Sequence, residues 1–154
     1  MKHISSIFEE LSSPKKIVIT THYKPDADAI GSSLALYHYL TDMGHEVQVI
    51  APSEVPDFLL WMPGVETVIN YEFATQTARE KMKACDFIFC LDFNAPNRVR
   101  NMEQDLIQAT QPKVLIDHHL EPAQDFFAHG ISNANKSSTC EMIYDFIFVL
   151  FRNV

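Results

Sequence analysis

Three short apolar runs, Lys16–Thr21 (KIVITT), Asp86–Leu91 (DFIFCL) and Lys113–Ile116 (KVLI), do most to limit the folds open to this sequence. Each is short and rich in β-branched or aromatic residues, as expected of strands covered on both faces. The stretches between them are long enough for helical crossovers, which parallel strands require. The expected fold is therefore α/β, a three-layer sandwich around a mostly parallel open sheet.

The remaining elements follow the same alternation. Ile4–Leu11 reads as a leading helix. Ala29–Met43 carries Ile30, Leu34, Leu36, Tyr37 and Leu40 at helical spacing, with Gly44 at the stop. Glu46–Ile50 reads as a second strand, Asp57–Met62 as a short helix ended by Pro63-Gly64, and Thr67–Asn70 as an edge strand. Thr75–Ala84 and Met102–Ala109 read as helices and Phe126–Ser132 as a further strand. Thr139–Phe151 closes the chain as an apolar helix with Met142, Ile143, Phe146, Ile147 and Leu150 on one broad face. There is no internal repeat or linker, and 154 residues suit one domain with a real core.

The chemistry gathers where three strands should end. His22, Asp26 and Asp28 follow KIVI, Asp92 follows FIFCL, and Asp117-His118-His119 follows KVLI. Parallel neighbouring strands would bring all three clusters to one rim, where ligands of open α/β sheets sit. Carboxylates crowded without cations repel one another. His22, Asp26, Asp28, Asp92 and His118 are therefore candidate ligands for two divalent ions. Carboxylate and imidazole donors suit Mn²⁺, with Zn²⁺, Co²⁺, Fe²⁺ or Mg²⁺ as alternatives, and no thiolate suggests structural zinc. Two ions that share a carboxylate and an activated hydroxide are a natural centre for hydrolysing phosphate esters.

Charge and cysteine content remove other classes. A net charge of −8, from 12 basic and 20 acidic residues, argues against a general double-stranded DNA or membrane binder. It still permits a small anionic substrate, because bound metal reverses the local field. Cys85, Cys90 and Cys140 form no C-x-x-C pair, and the first residues contain no apolar signal core, so a cytoplasmic protein with reduced thiols is expected. No G-x-G-x-x-G follows the first strand, which disfavours a dinucleotide binder.

These motifs resemble those of the DHH phosphoesterase superfamily. His22-x-x-Pro25-Asp26-x-Asp28-Ala29-x-Gly31-Ser32 is similar to its first motif, Asp92 to its second, and Asp117-His118-His119 to the signature that names it. Ser137-Ser138-Thr139-Cys140-Glu141 resembles the segment that follows. The closest likeness is to the nano-RNase group, bifunctional oligoribonucleases and PAP phosphatases. The resemblance implies that His22 and Asp26 bind a first metal, Asp28 and His118 a second, and that Asp92 bridges. It implies further that His119 faces the substrate phosphate and that Asp117 orients the imidazoles. The substrate would be short single-stranded RNA or 3′-phosphoadenosine 5′-phosphate. RecJ-like exonuclease, cyclic-dinucleotide phosphodiesterase and pyrophosphatase chemistry are the alternatives, together with a catalytically silent nucleotide- or metal-binding fragment.

Several residues read two ways. Arg98 suits either a phosphate clamp or a solvated position at a helix start. Ser138 and Glu141 match a capping box, and the same helix start could offer N–H groups to a phosphate. Phe58 and Trp61 could stack on a base, although a PDFLLWMPG segment more often packs into a core or a subunit contact. His3, His38, His45 and His129 have no companion acids and are expected to be non-catalytic.

The pattern departs from the resemblance at its end. Relatives of this type carry a further aspartate after the S-S-T-C-E helix, which completes the metal centre, and a second domain that binds substrate. Neither is present in residues 1–154. The expectation is a metal-binding domain truncated near its C-terminal end, with a weakened metal site and a tendency to self-associate through exposed apolar surface.

Overall fold

The computed structural model describes residues 1–153, and side chains as far as Val149. Its centre is one seven-stranded sheet in the order β1-β7-β6-β5-β2-β3-β4. The strands are β1 (Lys2–His3), β2 (Lys16–Thr20), β3 (Glu46–Ala51), β4 (Ile69–Asn70), β5 (Phe87–Leu91), β6 (Lys113–Asp117) and β7 (His129–Ser132). Every ladder is parallel. Four α-helices accompany them: α1 (Ala27–Asp42), α2 (Thr75–Ala84), α3 (Glu103–Gln108) and α4 (Thr139–Asn153).

Alternation along the central strands builds the two outer layers. Ile17, Ile19, Phe87, Phe89, Leu91, Val114 and Ile116 face one side, against Leu36 and Leu40 of α1 and Met142, Ile143 and Phe146 of α4. Ile147 packs against the same core, while the Leu150 side chain expected beside it lies outside the described residues. Val18, Ile88, Cys90 and Leu115 face the other side, against Ala78 and Met82 of α2 and Leu106 of α3. Full burial of such a side chain contributes about 1.5–3 kcal/mol. A strand shifted by one residue would turn both cores inside out, so burial fixes the register.

The order of connection creates the crevice. From β2 the chain moves outward through β3 and β4, then returns through α2 to β5 on the other side of β2. The strand order therefore reverses between β2 and β5, and the loops at their carboxyl ends diverge there.

Several local expectations are corrected. Ile4–Leu11 is two 3-10 turns, Ile4–Ile7 and Glu10–Ser12, and Asp57–Met62 shortens to a 3-10 turn at Asp57–Leu59. The strand expected from Phe126 begins at His129, because Phe127 is spent in the core beside Phe93. In PDFLLWMPG only Leu59 is buried. Phe58, Leu60 and Trp61 are 68%, 54% and 74% exposed, so the segment reaches the core through Leu59, which packs with Ile30 and Leu34, and through partly buried Met62. The two-residue strand β1 carries no apolar signal. It forms by extending the open edge of β7.

Candidate metal centre

β2 ends at Thr20, and the following loop presents His22 before α1 begins. The His22 ring lies with Nδ1 3.0 Å from the Tyr23 carbonyl, so Nδ1–H can donate there and leave Nε2 facing the crevice. Asp26 caps α1, its Oδ1 accepting the Ala29 N–H at 3.0 Å. Capping and ligation coexist here, since a carboxylate oxygen has a second lone pair. Asp28, in the first turn of α1, points toward the start of α4.

Asp92 follows β5 with φ 64°, in the left-handed region that aspartate tolerates better than most residues. Its N–H still donates to the Ile116 carbonyl, so the ladder with β6 continues to the turn. Asp92 is 2% exposed, and its carboxylate stands between two donor sets. Its Oδ2 lies 3.5 Å from His22 Nε2, which is in turn 3.8 Å from Asp26 Oδ1. Its Oδ1 lies 3.4 Å from His118 Nε2, which is 3.6 Å from Asp28 Oδ2. Bonds of about 2.1 Å to one ion place neighbouring donors about 3.0–3.5 Å apart. Both sets are near that spacing, and His22, Asp26 and Asp92 are close enough together to hold an ion, as are Asp92, His118 and His119.

The last strand end adds Asp117, fully buried, whose Oδ1 accepts from His119 Nδ1 at 2.6 Å. That bond orients the His119 ring, and its Nδ1 lies 3.9 Å from Asp92 Oδ1. The other Asp117 oxygen is buried without a hydrogen-bond partner. Like charges 4 Å apart repel by about 4 kcal/mol at an effective dielectric of about 20. Buried Asp92 and Asp117, with Asp26 and Asp28 beside them, therefore call for positive charge that three imidazoles supply only when protonated. The donor set fits divalent cations.

Protonation follows the same forces. Burial pulls the His22 imidazole down, but Asp92, the Tyr23 carbonyl and the charge of Asp26 outweigh it, so His22 lies above the ordinary histidine value. Burial pushes Asp28 up, and the main-chain N–H groups of Cys140 and Thr139 overcome it, so Asp28 lies below the ordinary carboxylate range.

The start of α4 completes the wall. Thr139 N–H donates to Asp28 Oδ2 and Cys140 N–H to Asp28 Oδ1, each at 2.8 Å, and the Thr139 hydroxyl donates to Asp92 Oδ1 at 2.9 Å. Ser138 Oγ caps the helix by accepting the Glu141 N–H at 3.0 Å. The return arm of the expected capping box goes elsewhere, since Glu141 accepts from Ser137 N–H and Oγ and from Lys136 Nζ. Arg98, in the 3-10 stretch Pro96–Met102, contributes its carbonyl, which accepts the Tyr23 N–H at 2.9 Å and steadies the His22 loop. His38 bonds the Pro63 carbonyl, His129 bonds Ser6, and His45 accepts from the Lys15 N–H.

So the five predicted ligands converge, and His119 and Asp117 adjoin them. The bonds of Thr139 to Asp28 and Asp92 were not foreseen. They span 111 and 47 residues, and no local spacing encodes them.

With that geometry in place, a sequence profile described as the DHH family, N-terminal domain, matches residues 16–153. The chain belongs to the DHH family. It is 30% identical over 151 residues to the bifunctional oligoribonuclease and PAP phosphatase NrnA of Thermus thermophilus, covering 97% of this chain and 41% of that protein. Its fold matches a crystal structure of an exopolyphosphatase-related protein from Bacteroides fragilis with a TM-score of 0.92 and 40% identity, over 96% of this chain and 43% of that one. RecJ of Thermus thermophilus, solved in complex with Mn²⁺, superposes at a TM-score of 0.60 with 14% identity, covering 97% of this chain and 20% of that one; this likeness concerns the fold alone. The chain thus spans about two fifths of the length of that curated relative, NrnA. Among the described residues no helix is long and apolar enough to cross a membrane.

Proposed function

We propose that residues 1–154 form the metal-binding domain of a hydrolase that cleaves phosphate esters of short oligoribonucleotides or of 3′-phosphoadenosine 5′-phosphate. The observation that carries this reading is the Asp92 carboxylate, whose two oxygens face opposite imidazoles, His22 at 3.5 Å and His118 at 3.4 Å. In this reading His22 and Asp26 would hold one ion and Asp28 and His118 the other, with Asp92 placed to serve both. Mn²⁺ is the proposed ion, supported by the mixed oxygen and nitrogen donors. Divalent ions, when bound, act as Lewis acids and make water a nucleophile near neutral pH.

The protein's own groups do the rest. Tyr23 fixes the His22 tautomer through its carbonyl, and Asp117 does the same for His119. In this reading His119 faces the substrate phosphate, its ring held in place by Asp117. Ser138 and Arg98 are the further proposed phosphate contacts, and the amide end of α4 favours negative charge nearby. Phe58 and Trp61, both exposed, are free to meet a base or another subunit. Exposed Phe58, Leu60, Trp61 and Tyr144 support homo-oligomerisation, which concentration-dependent light scattering tests. The three free cysteines support a cytoplasmic location.

Incubation with Mn²⁺ and the dinucleotide pApA tests the reading: release of mononucleotide supports it, and binding without release identifies a silent binding domain. The 40% identity to an exopolyphosphatase-related protein favours phosphoanhydride hydrolysis as the second reading. Parallel assays of pApA, 3′-phosphoadenosine 5′-phosphate and pyrophosphate separate the two.

A further inference from the structure

One residue ties together both carboxylates that flank His118. Thr139 is fully buried in the first turn of α4. Its hydroxyl donates to Asp92 Oδ1 at 2.9 Å while its main-chain N–H donates to Asp28 Oδ2 at 2.8 Å. The next N–H, from Cys140, takes the other Asp28 oxygen at 2.8 Å. We propose that Thr139 is a positioning residue of the metal centre, fixing the plane of the Asp92 carboxylate and its separation from Asp28. The proposal deepens the two-ion reading and rests on it.

The terminal torsion of an aspartate is broad, so a carboxylate with no fixed donor rotates easily. Asp92 must keep Oδ2 toward His22 and Oδ1 toward His118 if it is to bridge. In this protein the Thr139 hydroxyl is the neutral donor that distinguishes the two oxygens. It bonds only the one facing His118 and leaves the other to the His22 side. Because the same residue's amide holds Asp28, the carboxylates are indexed to one rigid helix turn.

Helix capping does not account for this hydroxyl. Ser138 already caps α4 by accepting from Glu141 N–H, and Glu141 closes onto Ser137 and Lys136. A buried hydroxyl demands a partner, and the partner here is a candidate ligand. Valine matches the shape of threonine but donates nothing, and serine retains the donor.

The test compares Thr139→Val and Thr139→Ser in this chain by Mn²⁺ calorimetry, by electron paramagnetic resonance of the Mn²⁺-loaded proteins, and by crystal structures of the metal-free forms. Valine is expected to weaken Mn²⁺ binding about 10- to 100-fold, the range for lost outer contacts of a metal centre. It should also diminish the spin-coupled signal of paired ions and let the Asp92 carboxylate turn; serine should restore all three. A valine variant with wild-type affinity, coupled signal and Asp92 orientation overturns the proposal. If the wild-type chain binds fewer than two Mn²⁺ ions, the two-ion reading fails, and the metal-free crystals alone judge Thr139: an unmoved Asp92 in the valine variant overturns it, a turned one supports it. Should valine prevent folding, Thr139→Ala is judged by the same criteria.

Discussion

At the scale of single residues, backbone conformation decides which substitution is informative. Asp92 sits at φ 64°, a conformation that asparagine also accepts and alanine does not. Asp92→Asn is therefore expected to fold normally while losing Mn²⁺-dependent hydrolysis of pApA by about two orders of magnitude or more. Asp92→Ala should lose the same activity and about 1–2 kcal/mol of stability besides, from the left-handed backbone. Thermal melts and turnover measured on both variants separate charge from strain. Glu141 supplies the pH prediction. The Ser137 N–H, Lys136 and the Ser137 hydroxyl hold it at about 2, below its ordinary 4.5. A depressed carboxylate stabilises above its unfolded value, and that contribution disappears as pH falls through the folded value. Melting temperature between pH 4.5 and 2 should accordingly fall less steeply in Glu141→Gln than in the wild type, by a small amount because the side chain is exposed.

At the scale of elements, the carboxyl end of β6, which holds Asp117, depends on close approach between β6 and β7. Gly130 pairs with Leu115, and a Cβ at that position would lie 2.6 Å from the Leu115 carbonyl oxygen and 2.7 Å from its Cβ. Neither strand can give way without disturbing the ladder that positions Asp117, His118 and His119. Gly130→Ala should cost about 1–3 kcal/mol, as overpacking does, and lower the melting temperature by several degrees in a scanning calorimeter. The helices were more legible than the turns. Thr75–Ala84 has the limits its spacing indicates, since an amphipathic stripe is a local property. In PDFLLWMPG only Leu59 is buried, because hydropathy reports what a residue would gain from burial, not whether a surface of the same chain exists to bury it.

At the scale of the whole molecule, the proposed metal centre would couple ion binding to folding. Ions that bind only the folded chain should stabilise it by about 2.7 kcal/mol at a hundred times their dissociation constant. Mn²⁺ should therefore raise the melting temperature by about 5–10 °C, and a chelator should reverse the gain; a melting curve indifferent to both would count against a metal centre. The sequence by itself determined the layered α/β plan, because period-two and helical patterns are written in neighbouring residues. It also named His22, Asp26, Asp28, Asp92 and His118, because residues that end consecutive parallel strands must share a rim. Tertiary structure alone decided the strand order, with its reversal between β2 and β5, and the short strand β1 on the open edge. It alone brought Thr139 to Asp92 and Asp28, since contacts across 47 and 111 residues depend on how α4 docks against α1 and the sheet, and docking is set by shape complementarity that no local pattern records.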